Sequence, residues 1–352
     1  MFDIGPILQK VVEKKGSDLH LLEGYFPTIR INGKLLYLRE YGVVTKEQSN
    51  SFPKKLLTPT QQQLFEENKE IDFGYFDQGV RYRVNMYQSK GSIAASFRLI
   101  PSLIKTVEEL NLPEIFSTFA AHKQGLVLFT GPTGEGKSTS LAAIINELNL
   151  REALHIITIE DPIEFMYPQA RSIISQREVG QDTLSWNKAL KSVLREDPDI
   201  VLVGEMRDYE TIQSVLTIAE TGHLVFSTLH TGSTTEAINR IIDVFPAYQQ
   251  NQIKSSLANS LLAVVAQRLL PTTTGEGRIP AVEILLNESA VAPLIRDGKV
   301  HQLDNVVETS EQKGMILFEK YLLKLYNAGH ISKQTAHDFA IRKDIITHLL
   351  PA

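Results

Sequence analysis

Residues 131–138 read GPTGEGKS, three glycines followed by a lysine and a hydroxyl. Glycines let the backbone turn tightly, so successive N–H groups can point at phosphate oxygens, and a helix beginning there adds a favourable dipole. In this arrangement Lys137 reaches the β- and γ-phosphates of ATP and Ser138 offers a hydroxyl to Mg²⁺. Gly131, Pro132, Thr133, Gly134, Glu135, Gly136, Lys137, Ser138 and Thr139 are therefore the expected nucleotide-binding residues. A fortuitous glycine-rich turn of this kind would occur about once in a hundred chains of this length. This one follows the apolar run LVLFT and opens the helix-forming run STSLAAIINEL, as a phosphate-binding loop requires.

Holding ATP does not cleave it: hydrolysis also needs a group that orients water and groups that hold the metal. The run IITIEDPIEF places Glu160, Asp161 and Glu164 just beyond a buried strand, on the sheet edge where strand C-terminal ends meet ligands. Glu164 is the first candidate for the catalytic carboxylate, and a loop of solvated acids is the alternative. In DIVLVGEMRD, Glu205 follows a second apolar strand and is the candidate metal acid; a helix N-cap acid is the plainer reading. Gly204 stands where many P-loop enzymes carry aspartate. HLVFSTLHT puts His223 and His230 at the two ends of a third buried strand. His230 shares the acidic edge and could sense the γ-phosphate, whereas the chemistry of His223 depends on its neighbours.

These residues need a parallel sheet to bring them together, and the chain is long enough to hold one. With 352 residues, 43% of them hydrophobic and 22% charged, the composition is that of an ordinary globular protein of two domains. Apolar runs at 126–130, 155–159, 200–204 and 224–228 alternate with helical patterns at 140–149, 185–195 and 209–221, the βα grammar of a parallel sheet. Beyond residue 249 the pattern reads as mainly helical. There Ile253, Leu257, Leu261, Leu262 and Val265 form an apolar stripe, and a last strand is expected at 281–286.

The first hundred residues read differently. A helix carries Ile4, Ile7, Leu8, Val11 and Val12, and the strands TIRI and KLLYL flank Asn32 and Gly33, a type I′ hairpin turn. In VRYRVNMYQ the alternation sends Arg81 and Arg83 to one face, and Arg98 lies in the next strand. The expected division is a domain at 1–100, a linker at 101–105 containing Pro101 and Ser102, and a second domain at 106–352.

Composition also limits partners. A net charge of −5 with no visible basic stripe argues against nucleic acid. The absence of cysteine fits a reducing, cytoplasmic setting. The N-terminus has charges where a signal peptide would be apolar, and the most apolar later stretch, 257–270, is interrupted by Asn259, Ser260, Gln267 and Arg268. It falls short of the ~20 residues a membrane span needs.

Taken in order, GPTGEGKST, ITIEDPIE, the strand ending VGE, and AETGHLVFSTLHT resemble the Walker A, Asp box, atypical Walker B and His box of the secretion ATPase superfamily. With SDLHL, SQREVG and LREDPD, the chain is similar over nearly its whole length to the type IV pilus retraction ATPases. That resemblance implies an α/β protein with a small α+β PAS-like N-terminal domain and a RecA-like P-loop domain with a helical C-terminal part. It implies a cytoplasmic homo-hexamer, peripheral at the inner membrane through a pilus platform protein, using ATP and Mg²⁺. By motif position, Glu164 would be the catalytic carboxylate, Glu205 the Walker B acid and His230 the γ-phosphate contact, with Arg81, Arg83 and Arg98 candidates for charge-stabilising fingers. Two departures stand out. Family loops usually read GPTGSGKS, so Glu135 puts an acid beside the triphosphate, tolerable where it faces solvent. The usual AIRNLIRE is SAVAPLIRDGK here, leaving an accessory retraction ATPase open as an alternative. A pilus assembly or type II secretion ATPase, a RecA-like nucleic-acid translocase and a nucleotide-gated regulator are the other readings.

Overall fold

The computed structural model describes residues 3–31, 33–100, 103–275 and 277–351. They form two compact units, one of residues up to Leu103 together with Pro162–Met166, the other of Ile104–Asp161 and Tyr167 onward. Pro101, Ser102 and Asn32, on which the linker and hairpin-turn expectations fall, lie outside the described residues.

The first unit is built on a sheet of six strands: β1 Asp18–Leu21, β2 Thr28–Ile31, β3 Lys34–Tyr37, β4 Glu70–Asp77, β5 Val80–Ser89 and β6 Ser92–Leu99. Their order is β3-β2-β1-β6-β5-β4, each pair antiparallel. Ile31 pairs with Lys34, so the expected β2–β3 hairpin forms, and Gly33 adopts φ +80°. Helix Gly5–Glu13 buries Ile7, Leu8 and Val11, while Val12 is exposed. In β5, Tyr82, Val84 and Met86 are buried, which turns Arg81 and Arg83 to the other face, as alternation requires.

The second unit carries seven strands: β7 Gly125–Thr130, β8 His155–Glu160, β9 Ile173–Glu178, β10 Ile200–Val203, β11 Leu224–Leu229, β12 Leu261–Pro271 and β13 Arg278–Leu286. Their order is β13-β12-β7-β11-β10-β8-β9, with β13 alone antiparallel. Every residue of β7, β10 and β11 is buried. Helices cover both faces of this sheet, giving one core around Leu128, Val203 and Ile238 and another around Phe129, Ile144 and Phe226.

One expectation changes here. The stripe Ile253–Leu257–Leu261–Leu262–Val265 is not one helix: the helix ends at Ser260, and residues from Leu261 onward form β12. A buried run of LLAVVA satisfies a helix period and a central strand equally. Pairing decides it, because β12 lies between β7 and β13 and both edges are occupied. The polar strand β9 carries no apolar run, its residues being mostly half-exposed on the edge of the sheet.

Candidate nucleotide site

β7, β8, β10 and β11 run parallel, so their C-terminal ends share one edge of the sheet. From β7 the chain crosses to β8 on one side, whereas from the neighbouring β12 it leads outward to β13 on the other, so β7 and β12 flank a switch point, and such a point is where open α/β sheets bind ligands. GPTGEGKS leaves β7 at that point and enters the helix Lys137–Arg151 through Gly136 in the left-handed region, φ +79°. Lys137 is buried, its Nζ donating to the carbonyls of Gly131 at 2.6 Å and Pro132 at 3.0 Å. Gly131 at φ +144° tolerates no side chain, because a Cβ would stand 2.3 Å from the Gln267 carbonyl oxygen. Ser138 and Thr139 occupy the first turn of the helix.

The adjoining strand ends are bound to this loop. Thr130, the last residue of β7, donates through Oγ1 to the Thr231 carbonyl at 2.8 Å and accepts from the Thr231 N–H at 2.9 Å. His230 is thereby held beside the phosphate loop's root. Its Nε2 lies 3.1 Å from Glu205 Oε2, and Arg207 NH2 lies 2.5 Å from Glu205 Oε1. The structure thus joins two residues the sequence nominated, Glu205 and His230, and adds Arg207, which sequence reasoning missed although it stands inside GEMRD. The hydrogen bond to Glu205 holds the Arg207 pKa above its ordinary value.

Gly204 has a packing reason of its own. A Cβ there would lie 3.3 Å from both the Ile159 carbonyl oxygen and the Trp186 ring. Any side chain at this position would need the backbone of Ile159 or the Trp186 ring to give by a few tenths of an ångström, and the acid stands one residue on, at Glu205.

Other candidates separate. His223 lies at the opposite end of β11, about 20 Å away along six residues of strand. Its Nδ1 is 3.1 Å from the Ile218 carbonyl, closing the end of helix Tyr209–Glu220. Glu160 is 9% exposed and accepts from Thr158 Oγ1 at 2.6 Å. Burial, with the Glu160 charge nearby, pushes the Tyr167 phenol well above its ordinary pKa. Glu164 lies in the segment Pro162–Met166, which belongs to the first unit. In that unit Arg98 pairs across strands with both Asp18 and Arg83, and Asp18 pairs with Arg30, so these side chains stand in one row on one face. Arg98 Nε donates to Asp18 Oδ1 at 3.0 Å. Arg83 opposes a like charge, an unfavourable neighbour in a sheet, with no carboxylate partner among the described residues. Arg81 is on the same face two residues away.

Residues 96–326 match the Type II/IV secretion system protein family. The chain belongs to this family. Among secretion-family relatives, it is 45% identical over 88% of its length to a twitching motility protein of Neisseria gonorrhoeae, covering 83% of that protein. It is 43% identical over 96% of its length to the type IV pilus retraction ATPase PilT of Pseudomonas aeruginosa, covering 98% of it. A crystal structure of the pilus retraction motor PilT with bound ADP matches it with a TM-score of 0.91 at 39% identity, covering 99% of this chain and all of that one. The two-unit α/β architecture of this secretion-family chain is therefore that of PilT.

Proposed function

We propose that this chain is an ATP-hydrolysing motor that powers pilus retraction. The observation that carries this reading is the match to PilT along the whole of both chains, at a TM-score of 0.91, with a complete phosphate loop at the switch point of the sheet. Lys137 and the loop amides bind the β- and γ-phosphates, and His230 reads the γ-phosphate. Ser138 and Glu205 would hold Mg²⁺; a hydroxyl and a carboxylate are the hard oxygen donors that this cation takes together with phosphates and water. The ion would neutralise charge developing on the transferred phosphoryl group. Glu164 orients the attacking water and takes its proton. Of the three finger candidates Arg98 is engaged by Asp18, which leaves Arg81 and Arg83, on one face of β5, as the residues proposed for this role.

The working particle is proposed to be a cytoplasmic homo-hexamer docked on a membrane platform protein; this rests on the family relationship. Among the described residues no helix is long and apolar enough to cross a membrane.

Deleting the gene in its host should leave surplus surface pili and abolish twitching. Complementation with the intact chain restores movement and with the Lys137→Ala variant does not. A deletion strain without pili would instead make this an assembly motor. At the chemical step, Glu164→Gln should retain ATP binding while hydrolysis falls about 10²–10⁴-fold, since the amide keeps the shape but accepts no proton. Turnover within a few fold of wild type would remove Glu164 from the mechanism.

A further inference from the structure

Glu135 is where this loop departs from the family's usual serine, and the structure gives its carboxylate a task. β12 continues beyond the end of β7: their pairing stops at Ala266 and Thr130, while β12 runs on to Pro271. On its other side Leu269 faces Pro280, which has no N–H to offer. The overhanging part of β12 is met by the phosphate loop itself. Glu135 Oε2 accepts the Leu269 N–H at 2.5 Å. The Glu135 carbonyl accepts from Gln267 Nε2 at 2.8 Å, and Ser140 Oγ donates to Gln267 Oε1 at 2.8 Å. These two bonds fix which way the Gln267 amide faces, and its side chain is 2% exposed. Arg278 NH1 lies 3.3 Å from the Gly134 carbonyl. A Cβ on Gly136 would stand 3.1 Å from Gln267 Nε2, so the loop lies flush on the strand.

We infer that Glu135 is a positioning residue that clasps the phosphate loop to β12 and presets it for nucleotide. In a trans peptide the carbonyl and the following N–H point in opposite directions. Tying the Glu135 carbonyl to Gln267 therefore turns the Gly136 N–H away from β12, toward the phosphate side. A loop already held in its binding conformation spends less binding free energy on ordering. The carboxylate is turned to Leu269 and is not simply facing solvent, the circumstance the sequence alone required for an acid here. Its clasp outweighs its repulsion of the triphosphate.

This inference rests on the P-loop reading, and the two fail in different ways. The measurement is titration calorimetry of ADP and of ATP with Mg²⁺ against the full chain, its Glu135→Gln variant and its Glu135→Ala variant. Glutamine keeps an oxygen for the Leu269 N–H and removes the charge; alanine removes both. The clasp predicts that Glu135→Gln binds both nucleotides within about threefold of wild type and that Glu135→Ala binds both about tenfold more weakly. Steady-state turnover should show most of the alanine loss in KM for ATP, recovered by the glutamine. Alanine and glutamine variants that both bind tighter than wild type would show that charge repulsion dominates, overturning the clasp. Equal weakening in both variants would overturn it too, by assigning the effect to charge. An intact chain that binds neither nucleotide would instead remove the P-loop reading.

Discussion

Lys137→Ala should lose nucleotide affinity by roughly 30-fold to a few thousandfold, with ATP turnover falling to background. Lys137 is 6% exposed, at the start of the helix that leaves the phosphate loop. Its ammonium already sits among the carbonyls of Gly131 and Pro132, so little reorganisation is needed to meet a phosphate. Truncating one member of a buried, hydrogen-bonded charge pair costs about 2–5 kcal/mol, and each 1.4 kcal/mol is tenfold in affinity. The alanine leaves bound phosphate facing a gap where the ammonium stood. Titration with ADP reads the loss, and circular dichroism with a melting curve shows that the fold persists. A variant that binds ADP as wild type does would show that the loop is not a phosphate cradle.

The largest effect on stability is expected at Arg342, far along the chain from any motif. Its guanidinium NH1 donates to Glu283 Oε2 at 2.8 Å and Glu319 Oε2 at 3.0 Å, and its Nε and NH2 reach Asp304 Oδ2 at 3.1 and 2.7 Å. Glu283 and Glu319 are both 0% exposed. Although burial works against the charged arginine, the carboxylates around it more than compensate and its pKa is raised. Removing it strands two buried carboxylates, which costs about 3–5 kcal/mol. At roughly 2–4 °C per kcal/mol for a unit of this size, Arg342→Ala should melt about 6–20 °C lower. Arg342→Lys should recover only part, since an ammonium cannot serve Asp304 and both glutamates from one planar fork. A melting temperature within about 2 °C of wild type would mean that water or protonation relieves the carboxylates.

The cluster also touches the site. Glu283 Oε1 accepts from the N–H and hydroxyl of Thr234, at 3.0 and 2.8 Å. Thr234 opens the helix that follows His230. The C-terminal helices are thus tied to the segment that follows the β11 end carrying His230.

The loop GPTGEGKS was legible because its signal is local: glycines, lysine and hydroxyl lie within one turn of chain, and the flanking strand and helix carry their own patterns. The buried strands β7, β8, β10 and β11 were legible for a related reason, since strands covered on both faces leave short, wholly apolar runs. Where these cues gave out, so did the reading. Leu261–Val265 carries an apolar pattern that suits a helix or a central strand, and β9 carries almost none. Arg81 and Arg83 showed their shared face through alternation, but nothing local paired Arg98 with Asp18, eighty residues earlier.

Sequence by itself determined the glycine-rich loop between strand and helix, the parallel core and the residues at strand ends, because each depends on neighbours within a few positions. Only the tertiary structure decided which of these groups meet. Glu205 finds His230 and Arg207, Thr130 finds Thr231, Glu135 finds Leu269, and Arg342 finds three acids. The physical reason is that strand order, not chain order, sets which strand ends lie side by side: β7 has β11 and β12 as neighbours, with β8 on the far side of β10. Hydrogen bonds act over about 3 Å, so a polar side chain's partner is settled by that order and by the register within it.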